Sequence, residues 1–487
     1  MSSFDLIVRG GSVATAVDVM RADIAVKDGK IAALGSNLGD AARIVDATGR
    51  IVTPGGVDSH CHIEQLSAMG VVNADTFETG TASAALGGTT TVIPFVAQHK
   101  GLDLATVAKD YHALAAKGAI IDYALHLIVT DPTDVLLTEQ LPELVKAGHG
   151  SIKIFMTYDA MKVDDEQVLD ILLKARELGA LVCAHAENHG MIKWMVQRLL
   201  ERGYTAPKYH AVSHPRGSEA EAFNRLITMS ELIDQPVMIF HVSTEEGAAT
   251  INAARARGVK VWAETCPQYL FLTAQDLDKP GTEGAKWCCS PPPRQARDIE
   301  ALWAALERGD LQTITSDHAP FSYDEKGKLS AGPNPNFKQI PNGMPGLQAR
   351  LPLLFDAMVS KGRMDITDFV RLTATAPAQI YNIADRKGSI AIGKDADLAI
   401  WDTEKEVTFT DETMADATGY TPYVGMTVKG WPTTVVRRGD VIVDDGKLTG
   451  TAGTGQFLPR TGGKAAAPTG KIAPEFDPAL NFGAKLI

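Results

Sequence analysis

The 487-residue chain has little cysteine, no excess of positive charge, no long apolar run and no internal repeat. Each shortage excludes something. Its five cysteines, Cys61, Cys183, Cys266, Cys288 and Cys289, are odd in number and lack the paired spacing of zinc ribbons or small secreted domains, so a reducing, cytoplasmic setting is expected. Lys and Arg total 47 against 59 Asp and Glu, a formal net charge of -12 that repels phosphate backbones and anionic headgroups. Neither nucleic acid nor a membrane surface is an expected partner. No window has the apolar length of a membrane span. The start, residues 1–11, carries Asp5 early and alternates like a strand rather than a secretory signal. What is there, 45% hydrophobic and 22% charged residues, is the composition of a globular chain able to bury a sizeable core.

Three styles of text follow one another. From Phe4 to about Thr53 short alternating runs are broken by Gly10-Gly11, Asp28-Gly29 and Thr48-Gly49, the punctuation of a small antiparallel sheet. Eight β-rich apolar runs come next, at 51–57, 89–96, 123–130, 151–158, 180–186, 236–242, 260–265 and 311–315, with helical patterns such as 168–178 and 299–306 between them. Runs too apolar to have a wet face imply parallel strands covered on both sides. After Thr373-Ala374-Thr375-Ala376-Pro377 the alternating style returns. The expected fold is α/β: a (β/α)8 TIM barrel with a flanking β-sandwich domain formed from both chain ends. The expected division is 1–53 and 377–450 for the sandwich, 54–376 for the barrel and 451–487 for an extended tail, Gly-, Ala-, Lys- and Pro-rich.

In such a barrel the chemistry sits where the strands end. The first run leads into His60-Cys61-His62, the fourth contains Lys153, the fifth and sixth carry His185 and His241, and the eighth leads to Asp317. Side chains two apart on an extended chain share a face, so His60 and His62 can reach one metal ion. An isolated His-x-His is a weak sign; two further histidines and an aspartate at equivalent strand ends make it coherent. His99, His112, His126, His149, His189, His210 and His214 are read instead as surface, helix or core histidines, and His318 as structural. Lys153, on an apolar run, either snorkels outward or loses its charge. In a buried site the neutral amine is favoured.

These residues resemble the dihydropyrimidinase and D-hydantoinase family of cyclic amidohydrolases, within the binuclear-metal amidohydrolase superfamily. The likeness is carried by Thr53-Pro54-Gly55-Gly56-Val57-Asp58-Ser59-His60-Cys61-His62, Gly87-Gly88-Thr89-Thr90, the run from Ser151 to Tyr158, Val182-Cys183-Ala184-His185-Ala186-Glu187-Asn188 and His241-Val242-Ser243. It continues in order through Glu264-Thr265-Cys266-Pro267, Cys289-Ser290-Pro291-Pro292, Ser316-Asp317-His318-Ala319-Pro320-Phe321 and Ile340-Pro341-Asn342-Gly343, covering about residues 4 to 450. The resemblance implies two divalent metal ions, zinc foremost. His60, His62, Lys153 and Asp317 would hold one and Lys153, His185 and His241 the other, with Lys153 carbamylated (N6-carboxylysine) and bridging beside a hydroxide. It also implies Asp317 as the proton carrier, Tyr158 as oxyanion support, and Ser290 and Asn342 as holders of the ring's amide edge. Tyr158 has a simpler reading as a barrel-rim aromatic, and Asn342-Gly343 as an ordinary turn. The implied reaction is hydrolytic opening of a cyclic ureide, a 5,6-dihydropyrimidine or 5-substituted hydantoin, to the N-carbamoyl amino acid. Allantoinase, cyclic imidase and dihydroorotase-like hydrolysis are the alternatives, and a non-catalytic scaffold of the same fold would lack the metal ligands. A homotetramer is implied by likeness alone.

Glu64, two residues after His62, bears on the substrate. A carboxylate facing the ring would repel an anion, favouring a neutral or cationic substituent; the blander reading has Glu64 facing away. The apolar segment 66–72 is expected to shape the pocket for hydrophobic 5-substituents.

Overall fold

The structure is a computed structural model that describes residues 4–471 and 473–486. Its centre is a ring of parallel strands built from the apolar runs: Gly56–Cys61, Thr89–Ala97, Asp122–Tyr123 with His126–Ile128, Ser151–Phe155, Leu181–His185, Val237–Ile239, Val261–Thr265 and Thr313–Ile314. Each is bonded in parallel to the next. A parallel bridge between Cys61 and His318, with Asp317 N–H donating to His60 O at 2.9 Å, joins the last strand to the first. The inside of the ring is packed by Val57, Ile93, Phe95, Ile128, Phe155, Met238 and Phe240. It is a filled core rather than a pore. The amphipathic segments between strands form helices such as Asp165–Leu178, closed by Gly179 at φ 65°, and Ala296–Arg308, closed by Gly309 at φ 81°.

The first apolar run does not form one strand. Residues Ile51–Pro54 pair antiparallel with Leu398–Thr408 in a seven-stranded sheet, and Gly56–Cys61 then starts the barrel. Gly55 is the pivot. A Cβ there would collide with Thr90 of the second barrel strand, so only glycine lets the chain pass from one sheet to the other at this point. A separate four-stranded sheet comes from residues 4–46. Leu6, Val8, Ile24 and Val26 from it meet Val52, Leu398, Ile400 and Val436 in one apolar cluster. Both chain ends thus build the sheets that flank the barrel.

The segment after 450 departs from a free extended tail. Leu458 N–H donates to Tyr123 O at 2.7 Å, Arg460 N–H to Gly148 O at 2.9 Å and Gly462 N–H to Gly179 O at 3.1 Å. It therefore tracks the N-terminal ends of successive barrel strands, and the fully buried Arg460 guanidinium donates to Ser151 Oγ at 2.6 Å. Its Gly and Pro content hides this docking, because the bonds are made by backbone rather than by a periodic side-chain pattern.

Candidate active site

At the opposite end, the residues singled out in the sequence converge. His60 and His62 lie on and just after the first strand; Lys153 lies within the fourth; His185 closes the fifth; His241 and Asp317 lie two and three residues past the ends of the sixth and eighth. Lys153, His60, His185, His241 and Asp317 are all buried, and the six line one cavity of about 170 Å3 together with Tyr158, Ser290 and Asn342. Ligand atoms of His60, His241 and Asp317 fall within 4.8 Å of one another, the arrangement a metal ion requires. Asp317 Oδ1 stands 3.1 Å from His60 Nε2 and 3.6 Å from His62 Nε2. Three of these residues hold left-handed backbone, Tyr158 at φ 71°, His241 at φ 40° and Asp317 at φ 47°. Such conformations cost free energy and persist where the surroundings impose them.

The partners of the imidazoles set which nitrogen each offers. Glu264 engages His60 Nδ1; Gln65 Oε1 is 2.8 Å from His62 Nδ1; Glu187 Oε2 is 2.8 Å from His185 Nε2. That leaves Nε2 of His60 and His62 and Nδ1 of His185 for the cavity, the orientation logic of metal-binding histidines. His241 Nδ1 is buried and has no hydrogen-bond partner. Glu187 is in turn held by His214 Nδ1 at 2.8 Å.

Burial sets the protonation. It lowers the pKa values of His62, His185 and His241, keeping them neutral and able to ligate. For His60 burial works the same way but is outweighed by Asp317 and Glu264, so its pKa is raised. Burial drops the Lys153 ammonium to about 7, against the partial opposition of Asp317. At neutral pH a large fraction of this lysine is a free amine. Burial raises Asp317, yet His60 outweighs it and holds the carboxyl well below its ordinary value. Tyr158 is pushed far up by burial and by Glu187, so its hydroxyl keeps its proton and can donate it, with Ser290 and Asn342 within hydrogen-bonding reach.

Sequence reasoning missed several neighbours. Glu264 is the penultimate residue of the seventh strand, Val261–Thr265, so the strand-end rule that found the histidines also points to it. Lys328 left no signal: fully buried, it donates to Cys288 O at 2.8 Å, Pro341 O at 2.7 Å and Gly343 O at 2.6 Å, tying together the two segments that carry Ser290 and Asn342. His318 is structural as expected, bonded to Asp75 at 3.0 Å and to Gly346 N–H at 3.0 Å. His126 is a core residue stacked on Phe95. Glu64 turns away: its Oε2 accepts Phe77 N–H at 2.9 Å and caps the following helix, Phe77–Leu86. Its charge does not face the cavity and so does not act against an anionic substituent. Ser67, Ala68 and Met69, from the apolar segment 66–72, do line the cavity.

The profile of the Amidohydrolase family matches residues 51–442. A D-hydantoinase of Ralstonia pickettii is 43% identical over 457 residues, which is 94% of this chain and 99% of that protein. A solved D-hydantoinase structure superposes with TM-score 0.91 at 42% identity, covering 94% of this chain and 99% of that one. A dihydropyrimidinase from Brevibacillus agri superposes with TM-score 0.90 at 39% identity, covering 93% and 98%. A strand-end cluster of imidazole, lysine and carboxylate on this fold, with identity sustained along nearly the whole length, shows that the chain belongs to the amidohydrolase family, in its hydantoinase and dihydropyrimidinase group.

Proposed function

We propose that this protein is a metal-dependent hydrolase that opens the ring amide of a cyclic ureide, a 5,6-dihydropyrimidine or 5-substituted hydantoin, to the N-carbamoyl amino acid. One observation carries the reading: His60, His62, His185, His241 and Asp317 converge around the buried Lys153 at one barrel mouth, in a chain 43% identical to a D-hydantoinase. The donor set suits two divalent cations. Four imidazoles, each turning a ring nitrogen to the cavity or leaving one without a partner, stand with one carboxylate beside a lysine whose pKa burial lowers to about 7. Nitrogen and carboxylate donors of this kind favour zinc.

On this reading His60, His62, Lys153 and Asp317 hold one ion, and Lys153, His185 and His241 the other. Lys153 serves as N6-carboxylysine: its amine adds to carbon dioxide, the N–C bond forms and one proton leaves, giving an anion with two oxygens. The cations, when bound, supply Lewis acidity toward the scissile carbonyl and lower the pKa of water. Asp317 accepts the proton of the attacking water and returns it to the ring nitrogen as the C–N bond breaks, which matters because an amide anion leaves poorly. Tyr158 donates its hydroxyl proton in a hydrogen bond to the carbonyl oxygen as charge builds there. Ser290 and Asn342 hold the amide edge of the ring, with Lys328 bracing their backbone. Ala68, Met69, Phe155, Met161 and Phe321 offer an apolar wall to the exocyclic group.

A purified-protein panel of dihydrouracil, 5-substituted hydantoins and dihydroorotate, run beside zinc analysis, tests this. Carbamoyl product should form, vanish after chelation and return with zinc. Fastest turnover of dihydroorotate, or zinc content near zero with no ring opening, overturns it. An unmodified Lys153 amine by intact mass in an active, metal-loaded sample overturns the carbamate alone. The same reading includes the division at 53, 376 and 450, a homotetramer and a cytoplasmic setting. The five buried, unpaired cysteines support the last. Light scattering checks the tetramer, and a monomer would refute it.

A further inference from the structure

At the end of the barrel away from the cavity, the docked C-terminal segment puts one cation into the barrel interior. Arg460 forms a parallel bridge with His149, and its buried guanidinium lies against Tyr381, 5.3 Å from the ring centroid. Among the described residues no carboxylate pairs with it. Its Nη2 donates to Ser151 Oγ at 2.6 Å and to Leu125 O at 3.2 Å, while Nε and Nη1 have no partner. Burial lowers its pKa to about 10, so the group stays a cation at neutral pH. A buried charge without a counter-ion costs stability that an apolar side chain of similar size does not. Stability therefore does not account for an arginine here.

What Arg460 touches leads to the metal-binding side chains. His126 Nδ1 is 2.6 Å from Ser151 Oγ, and His126 Nε2 is 2.9 Å from Ser59 O. Burial, and after it the Arg460 charge, hold the His126 pKa well below its ordinary value, so the ring is neutral. The direction of every bond follows. Ser59 O can only accept, so Nε2 carries the ring's proton; Nδ1, without one, accepts from the Ser151 hydroxyl, whose oxygen accepts from Arg460. The chain begins in the C-terminal segment and ends on the carbonyl that leads into His60.

These bonds join strands that backbone pairing does not. Gly56–Cys61 pairs with Thr89–Ala97, and Ser151–Phe155 pairs with His126–Ile128 and Leu181–His185. The first and fourth strands are not neighbours, yet they carry His60 and Lys153. His126 reaches between them, from Ser59, one residue before His60, to Ser151, two before Lys153 and on the same face of its strand. The imidazole also stacks on Phe95, with ring centroids 4.8 Å apart, and Phe95 stacks in turn on His62 at 4.7 Å. In a close-packed interior a shift of His126 is passed on to both metal-binding histidines.

We infer that Arg460 is a positioning residue for the metal centre: through Ser151 and His126 it fixes the first strand against the fourth, and with them the placement of His60 and His62 relative to Lys153, on which one shared cation depends. The inference rests on the metal-dependent activity proposed above. Arg460 touches no substrate and no reacting atom.

The test is the zinc affinity of the full-length protein, read by chelator competition on folded material. Arg460→Met and Ser151→Ala, which break the chain at adjoining links, should each weaken zinc binding about tenfold, the lower end of what removing an outer partner of a ligating group costs. Because they break one chain, the double variant should bind no more weakly than either single variant. Arg460→Lys, which keeps a donor for Ser151 Oγ, should recover most of the affinity. Lys387, paired with Asp122 and Asp397 at the same end of the barrel, lies off the chain, and Lys387→Met should lose stability with zinc affinity unchanged. Wild-type affinity in either single variant overturns the inference, and Ser151→Ala, which removes one oxygen only, decides it should Arg460→Met not fold. Additive losses in the double variant, or an equal loss in Lys387→Met, overturn it as well. A wild-type protein that takes up no zinc and opens no ring overturns the proposed function, and the inference with it.

Discussion

At the N-terminal end of the barrel, Asp122 receives Lys387 at 2.6 Å and Arg438 at 3.0 Å, and Lys387 also reaches Asp397 at 2.8 Å and Asp395 at 3.1 Å. The docked tail adds Gln456 N–H to Asp122 at 2.9 Å. At the C-terminal end, buried ionisable groups surround Lys153, yet His241 Nδ1, Glu264 Oε2 and Asn342 Oδ1 are buried without partners among the described residues. The cluster around Asp122 closes charge on charge within the protein, although Arg460 Nε and Nη1 at the same end are buried without partners. The other end leaves atoms of His241 and Asn342, which line the cavity, without partners, an arrangement that costs stability unless something else is bound there. The same strands serve both ends, so the difference teaches that the pairing of charges, and not burial alone, sets the Asp122 cluster apart from the residues at the cavity.

The sharpest way to break the comparison is to alter each end singly. Asp317→Asn should lower kcat about a thousandfold, through loss of the proton carrier, with a small change in thermal midpoint. A variant retaining a tenth of the activity would remove Asp317 from its role. Lys387→Met should do the reverse: it leaves Asp397 buried without an ion pair and Asp122 with Arg438 alone, and should cost about 3 to 5 kcal/mol in urea unfolding, with kcat per folded molecule unchanged. If activity falls and stability does not, the two ends are not separable. A smaller effect is expected from Glu264→Gln, which weakens the grip on His60 Nδ1. Zinc affinity, read by chelator competition, should fall about 10- to 100-fold, and an unaltered affinity would confine Glu264 to packing.

The smallest effect is in the pH dependence of stability. Burial disfavours charge on Lys387, but Asp397, Asp122 and Asp395 outweigh it and raise its pKa; burial opposes charge on Asp395 as well, and Lys387 outweighs that and lowers its pKa. The lysine's contribution is therefore complete below the ordinary lysine value and is lost as pH rises through its raised folded value. That of Asp395 is present above the ordinary carboxylate value and is lost as pH falls through its lowered one. The difference in unfolding free energy between wild type and Lys387→Met should be flat across neutral pH and shrink at both extremes. A difference that is greatest at either extreme would show that this cluster is not held by charge.

Much of the site is legible in the sequence. Alternating faces put His60 and His62 together, and the apolar runs marked where Lys153, His185, His241 and Asp317 would emerge, because both rules depend on a few neighbouring residues. The break at Gly55 was not legible, since Ile51–Pro54 and Gly56–Cys61 read as one apolar run and only the closeness of Thr90 separates them. Nor was the tail, whose docking is written in backbone bonds.

The amino-acid sequence by itself determined the fold class, the family likeness and the side chains able to bind metal, because periodicity and strand-end position are local properties of a chain. Only the tertiary structure decided which nitrogen each imidazole turns to the cavity, that Glu64 caps a helix instead of facing substrate, and that Lys328 ties together the segments carrying Ser290 and Asn342. The His60 to Glu264 contact spans 204 residues of sequence and exists because barrel closure brings the first and seventh strands to one mouth. No local pattern encodes a distance of that kind; the packing of the whole ring does.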